Sequence, residues 1–250
     1  MATLLLDRRI YPGCANGWKS NKGKDINDPE SDIFKMEDAS NGNVIVTNTG
    51  REKFCGALVS STKMELPKDS AGKLLQYVTM HVRFKYPYEV YKNLARHELD
   101  HKVCYKTRPP KPPGSNENPK IRNVSNFSTQ WNRDTGQFQI DLDPPGWVDS
   151  GYVVEDIAPE VWHDYWAACW YGIDDADPRF SVLALKLDNN DPYLIPPEKQ
   201  NVAQTLTNWE LCSKGQIQNE FYEPGCTTIQ YARFDFLWSD VPLDFFLIAA

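Results

Sequence analysis

Apolar and polar residues alternate with a period of two along several stretches, and this pattern predicts β-strands rather than helices. Between 74 and 84, Leu74, Gln76, Val78, Met80, Val82 and Phe84 share one parity, while Tyr77, Thr79, His81 and Arg83 share the other. Phe138, Ile140 and Leu142 similarly oppose Gln137, Gln139 and Asp141. In 227–239, Ala232, Phe234, Phe236 and Trp238 oppose Tyr231, Arg233 and Asp235, and the two charges, two positions apart on one face, are expected to pair.

The stretch 159–196 carries the most information. Trp162, Asp164, Trp166, Ala168 and Trp170 fall on one parity and His163, Tyr165, Cys169 and Tyr171 on the other, as in a strand buried on both faces. The tryptophans also sit at i, i+4, i+8, and Asp156 ahead of Pro159 suits a helix start. The next apolar run, 180–187, is too short for a typical helix and ends in the turn cluster 188–191, so a hairpin of two strands is expected. Shorter strands are expected at 44–47 and 54–61. Residues 1–43 read as largely irregular after an apolar start, and 87–125 as lacking strand character, with a Pro-rich loop over 105–125. The expected fold class is all-β: a two-sheet antiparallel β-sandwich spanning 1–250 as one domain, with long loops and at most a short helix near 88–102.

Trp162-His163-Asp164-Tyr165-Trp166, the apolar strand after it and Leu187-Asp188-Asn189-Asn190-Asp191-Pro192-Tyr193-Leu194-Ile195-Pro196 together resemble the back half of concanavalin A-like jelly rolls. Legume-type lectins, β-glucanases and several polysaccharide lyases have this fold. The opening Leu5-Leu6-Asp7-Arg8-Arg9 is similar to that of fungal broad-specificity β-glucanases and glucuronan lyases. The resemblance covers about the last two thirds of the chain and implies a jelly roll holding a sugar-like ligand on a concave face. The glucanase signature Glu-x-Asp-x-x-Glu is absent from the sequence, so the likeness implies the fold rather than that activity.

Composition narrows the function classes. The 250 residues carry a net charge of −7 and include 8 Trp, 12 Tyr and 11 Phe. An acidic, aromatic-rich chain without a basic cluster argues against nucleic acid and for a small-molecule or oligosaccharide partner. No apolar run has membrane-spanning length, and Leu4-Leu5-Leu6 is too short for a signal-peptide core. Cys14, Cys55, Cys104, Cys169, Cys212 and Cys226 form no CxxC pair and permit up to three disulfides, with Cys212 and Cys226 flanking a local loop. Two adjacent sequons mark Asn123 and Asn126 as glycosylation positions. Together these predict a secreted protein whose signal peptide has been removed; oligomeric state is not legible.

The polar strand faces supply the candidate chemistry. His81, Asp141, Glu220 and Tyr222 are the catalytic candidates, and Tyr77, Arg83, Trp131, Gln139, Trp166, Gln218, Tyr231 and Arg233 the substrate-binding ones. Hydrolysis of a glycosidic bond needs two facing carboxylates, for which Asp141 and Glu220 stand. A lyase needs a base, His81 or Tyr222, and a cation such as Arg83 or Arg233 to neutralise a uronate. Two alternatives use the same cleft: a non-catalytic lectin, and a secondary-metabolite pericyclase that needs only shape, stacking and a hydrogen-bond donor.

His97-Glu98-Leu99-Asp100-His101 reads literally as HExxH. That motif binds zinc when a helix brings both imidazoles to one face and a third ligand completes the site. No third ligand follows in the Pro-rich sequence, so no zinc and no cofactor are expected. The acidic turns 174–177 and 188–191 offer clustered oxygens for a structural Ca²⁺.

Overall fold

The structure is a computed structural model and describes residues 4–10, 18–21, 34–38, 44–48, 57–60, 67–73, 75–85, 88, 100–107, 114, 122–127, 129–132, 134–142, 146–171, 180–200, 212–218 and 227–241. In chain order the strands are β1 (Leu4–Ile10), β2 (Trp18–Asn21), β3 (Phe34–Asp38), β4 (Val44–Asn48), β5 (Ala57–Ser60), β6 (Tyr77–Lys85), β7 (Asp100–Thr107) and β8 (Arg122–Phe127). They continue as β9 (Thr129–Asn132), β10 (Gln137–Leu142), β11 (Gly146–Val153), β12 (His163–Tyr171), β13 (Phe180–Leu187), β14 (Tyr193–Leu194), β15 (Cys212–Gln218) and β16 (Thr227–Ser239). All pairings are antiparallel, as the period-two patterning demands.

The larger sheet runs β14-β13-β12-β6-β16-β4-β3, with β1 also paired to β16. A five-stranded sheet, β2-β5-β15-β7-β8, and a three-stranded one, β11-β10-β9, make the second layer. Only Ser128 separates β8 from β9, and β10 lies beside β8 and β7 beside β9, so the smaller sheets continue one another across that break. The expected class, an all-β antiparallel sandwich of jelly-roll type, is the class observed.

The layers meet on one parity of each strand. Phe138 of β10 stacks on Tyr165 of β12, centroids 5.1 Å apart and rings 6° from parallel, and the Tyr165 hydroxyl donates to Thr129 Oγ1 at 2.6 Å. Trp131 has no exposed surface and donates its indole N–H to the Val154 carbonyl at 2.9 Å. Val78, Met80, Val82 and Phe84 are all fully buried on the same side of β6. The opposite parity of β6, β12 and β16 therefore faces away from the second layer.

Several sequence expectations need correction. The segment 1–43 contains three strands, β7 and most of β8 lie in the stretch read as lacking strand character, and β11 adds a strand at Gly146–Val153. In β7, Val103 and Tyr105 alternate with lysines, a pattern diluted by charge but held by pairing to β15 on one side and β8 on the other. β6 begins at Tyr77 rather than at 74, where the alternation starts, because Asp69 closes a turn before it, its carboxylate accepting from the Ala71 and Lys73 amides at 2.9 and 2.8 Å. Leu75, outside the strand, is the buried residue there. Of the 88–102 stretch, where at most a short helix was expected, 89–99 lie outside the described residues and 100–102 open β7. Three disulfides would require all six cysteines, but Cys169 is buried and free, because β12 places it in the core beside Val78 and Val182.

Candidate functional site

β6 and β12 pair so that Trp166 lies opposite His81 and Asp164 opposite Arg83. On its other edge β6 meets β16, where Asp235 is opposite His81 and Arg233 opposite Arg83. On the far edge of β12, Lys186 of β13 is opposite Trp166. Two cross-strand rows result: Lys186, Trp166, His81, Asp235, and next to it Asp164, Arg83, Arg233. Both occupy the face turned away from the second layer, so the chemistry sits on a rigid sheet rather than on loops.

The contacts within this face are short. His81 Nε2 lies 2.8 Å from Asp164 Oδ1, and Arg83 Nη1 lies 3.6 Å from Asp164 Oδ2. Arg233 Nε approaches Asp235 Oδ2 at 3.4 Å, the pairing expected from their spacing. The His81 ring stacks on Trp166 with centroids 4.6 Å apart and planes 10° from parallel, and Lys186 Nζ stands 5.1 Å from the Trp166 centroid. His81 and Lys186 come from strands on opposite sides of β12, so both faces of the indole are covered. Trp166, 7% exposed, orients its neighbours and has no open face for a ligand ring. Arg83 and Arg233 are about half exposed, at 49% and 46% of side-chain area.

Burial acts first on the Asp164 carboxyl and would raise its pKa. The hydrogen bond from His81, the His81 charge and the Arg83 and Arg233 charges outweigh it, and the group is held below its ordinary 3.8. Asp164 is therefore ionised at neutral pH and accepts only, so His81 Nε2 carries the hydrogen and donates. Nδ1 is then the ring nitrogen that does not face Asp164.

Behind this face a second histidine is fixed in a structural role. His163 Nδ1 lies 2.7 Å from Asp188 Oδ2, and Nε2 lies 2.8 Å from the Ala158 carbonyl. Burial acts to lower the His163 pKa, but the Asp188 hydrogen bond, the Ala158 carbonyl and the Asp188 and Asp156 charges prevail and raise it above the ordinary 6.5. With acceptors on both nitrogens the ring is at home as the imidazolium. A raised folded-state pKa adds stability that is complete below about pH 6.5 and is lost as pH climbs through the folded value; the depressed Asp164 adds stability above about pH 4 that is lost on acidification. Thermal melts should accordingly drop on both sides of a mildly acidic optimum. His163→Gln should remove the alkaline limb, and an unchanged limb would refute the assignment.

The sequence-derived candidates do not converge. His81, Arg83, Trp166 and Arg233 share the outer face of the larger sheet, and Tyr77 lies on the same parity of β6, four residues from His81. Tyr231, in β16, pairs with Phe84 and lies outside the residues whose side chains are described, as do Asp141 in β10 and Gln218 in β15. Gln139 donates to Asp149 Oδ1 at 2.8 Å, on the parity of β10 opposite to the core residue Phe138. It thus occupies the other outer face of the sandwich, a full two-layer thickness from His81. Trp131 is enclosed in the core and cannot stack on a ligand. Glu220, Tyr222, His97 and Glu98 lie outside the described residues.

His101 sits in strand β7 opposite Ile217, not on the helix that would bring the imidazoles of HExxH together. Among the described residues no three His, Cys, Asp or Glu side chains converge as a metal site. Both Asp188 oxygens are occupied, Oδ2 by His163 and Oδ1 by the Asp164 amide at 2.8 Å, so this acidic turn does not present an open cage for Ca²⁺. Asn123 and Asn126 lie in β8, paired with β7, rather than in a loop. Sequence reasoning did not nominate Asp164 or Lys186. The signal for Asp164 was its shared parity with the tryptophans.

No family model and no curated protein matches the sequence. Among solved structures the chain is similar to lectin II from Ulex europaeus at 11% identity, covering 96% of this chain and 99% of that one, with a TM-score of 0.47. It is similar to winged bean acidic lectin complexed with methyl-α-D-galactose at 14% identity, covering 96% and 99%, with a TM-score of 0.46. It is similar to the endo-β-1,4-glucuronan lyase of the fungus Trichoderma reesei at 11% identity, covering 93% and 94%, with a TM-score of 0.43.

Proposed function

We propose that this chain is a carbohydrate-active jelly roll acting on a uronate-bearing polysaccharide, with His81 as the base of a β-elimination. One observation carries the reading: the His81–Asp164 pair is flanked on the same face by two half-exposed guanidiniums, Arg83 and Arg233. Directly opposed like charges on neighbouring strands are unfavourable. Asp164 and Asp235 each offset one, and the outward N–H groups remain available for a carboxylate.

In this reading the arginines hold the uronate and spread its charge, which acidifies the proton on the adjacent ring carbon. His81 Nδ1 takes that proton while Asp164 stabilises the imidazolium through Nε2–H. The electron pair forms a carbon–carbon double bond and expels the glycosidic oxygen, which receives the proton back from His81. Products are one chain with a new free hydroxyl and one with an unsaturated terminal ring, so atoms and electrons balance without a further reactant.

The lectin alternative would use the same arginines without turnover. The pericyclase alternative loses support, because Trp131 and Trp166 have no open ring face. Secretion rests on the sequons and cysteine count, and a fungal-type origin on the opening segment alone. Glucuronan, alginate, pectate and a neutral glucan, followed by the absorbance of unsaturated products, test the reading. Unsaturated ends from at least one polyuronate and none from the glucan are expected. Reducing ends without unsaturation, or binding restricted to neutral sugars, would refute it.

A further inference from the structure

We infer that Asp188 is a positioning residue for this face, holding Asp164 and through it His81; the catalytic meaning of that hold rests on the elimination reading, whereas the hold itself does not. β13 leaves the ladder at Asp188. Its φ of +51° is the left-handed region, which a non-glycine residue adopts at a cost and Asn or Asp tolerate best. The Asp188 amide still donates to the Asp164 carbonyl at 2.7 Å, but the reciprocal acceptor is missing because the chain has turned away. The side chain supplies it: Oδ1 accepts from the Asp164 amide at 2.8 Å, while Oδ2 is anchored by His163.

One carboxylate thus ties the inner face of β12, at His163, to the backbone of the residue whose own carboxylate orients His81. On the β13 side the β12 start would otherwise be held by the Asp188 amide alone, since the first ladder partner there is Tyr165 with Leu187, while β6 pairs its other edge. Fraying there would move Asp164 first, and a small displacement of an orienting group costs catalysis disproportionately.

Asp188→Gly and Asp188→Asn separate the roles. Glycine accepts the left-handed backbone but removes both side-chain bonds; asparagine keeps an oxygen for the Asp164 amide and offers an N–H to a neutral His163. In nuclear magnetic resonance spectra, the exchange-protected Nε2–H of His81 should be present in the parent and in Asp188→Asn, and lost in Asp188→Gly. If wild type turns over a polyuronate, Asp188→Gly should lose about tenfold or more in kcat with little change in KM, and Asp188→Asn should recover most of it. A folded Asp188→Gly protein that keeps the His81 signal overturns the proposal. If Asp188→Gly does not fold, native-state exchange in the parent decides: the Asp164 amide and His81 Nε2–H should share one opening equilibrium, and separate openings overturn it. Loss of the signal without any polyuronate turnover would leave Asp188 as the positioning residue and refute only the elimination chemistry.

Discussion

His81→Ala is expected to lower polyuronate turnover by about 10²–10⁴-fold, the range over which a positioned general base contributes. The fold should survive, because the ring lies on the outward parity of β6 while the strand is held by Val78, Met80, Val82 and Phe84 beneath it. Some stability will go, since Trp166 loses its stacking partner and Asp164 its closest donor. Arg83→Ala should act differently, raising KM more than it lowers kcat if the guanidinium mainly binds the uronate. Its ion pair with Asp164, half exposed and 3.6 Å long, contributes little to stability by itself. Steady-state kinetics beside circular-dichroism melts separate the two variants. A His81→Ala protein with wild-type kinetics would remove this residue from the chemistry.

The largest stability effect is expected at Trp131, whose replacement by alanine should cost about 3–5 kcal/mol. Three losses coincide: a fully buried indole, the cavity it leaves, and the Val154 carbonyl deprived of its donor. Tyr165→Phe is a gentler probe of the same junction. It keeps the stack on Phe138 and removes the bond to Thr129, so about 1 kcal/mol is expected. Denaturant titration measures both. A Trp131→Ala protein within about 1 kcal/mol of wild type would mean that β9 and β10 are not closed over this core.

The long strands were legible because burial on one face imposes a strict alternation. β16 spans the same 227–239 as its sequence pattern, and β12 and β13 pair as the Trp-rich run and its turn suggest. β7 was hidden because Lys102 and Lys106 dilute its apolar content and mask the alternation, and β2 because Trp18 is its one large apolar residue among Lys19, Ser20 and Asn21. The site was half legible. Parity identified His81, Arg83 and Arg233 as one face, but parity carries no information about which face of which layer a strand belongs to. Gln139 and His81 read alike in sequence and lie on opposite sides of the sandwich, because Phe138 and Val82 both point inward from different sheets. Trp131 and Trp166 read as platforms because an aromatic side chain fits a cleft or a core equally well, and only packing decides.

Chemical-shift mapping with a short glucuronate oligomer tests most directly whether function resides on the His81 face. Perturbations should centre on Arg83, Arg233, His81 and Asp164, and Arg83→Ala should weaken them. Perturbations centred instead on Gln139 and Asp149 would place the ligand on the other outer face and contradict the account.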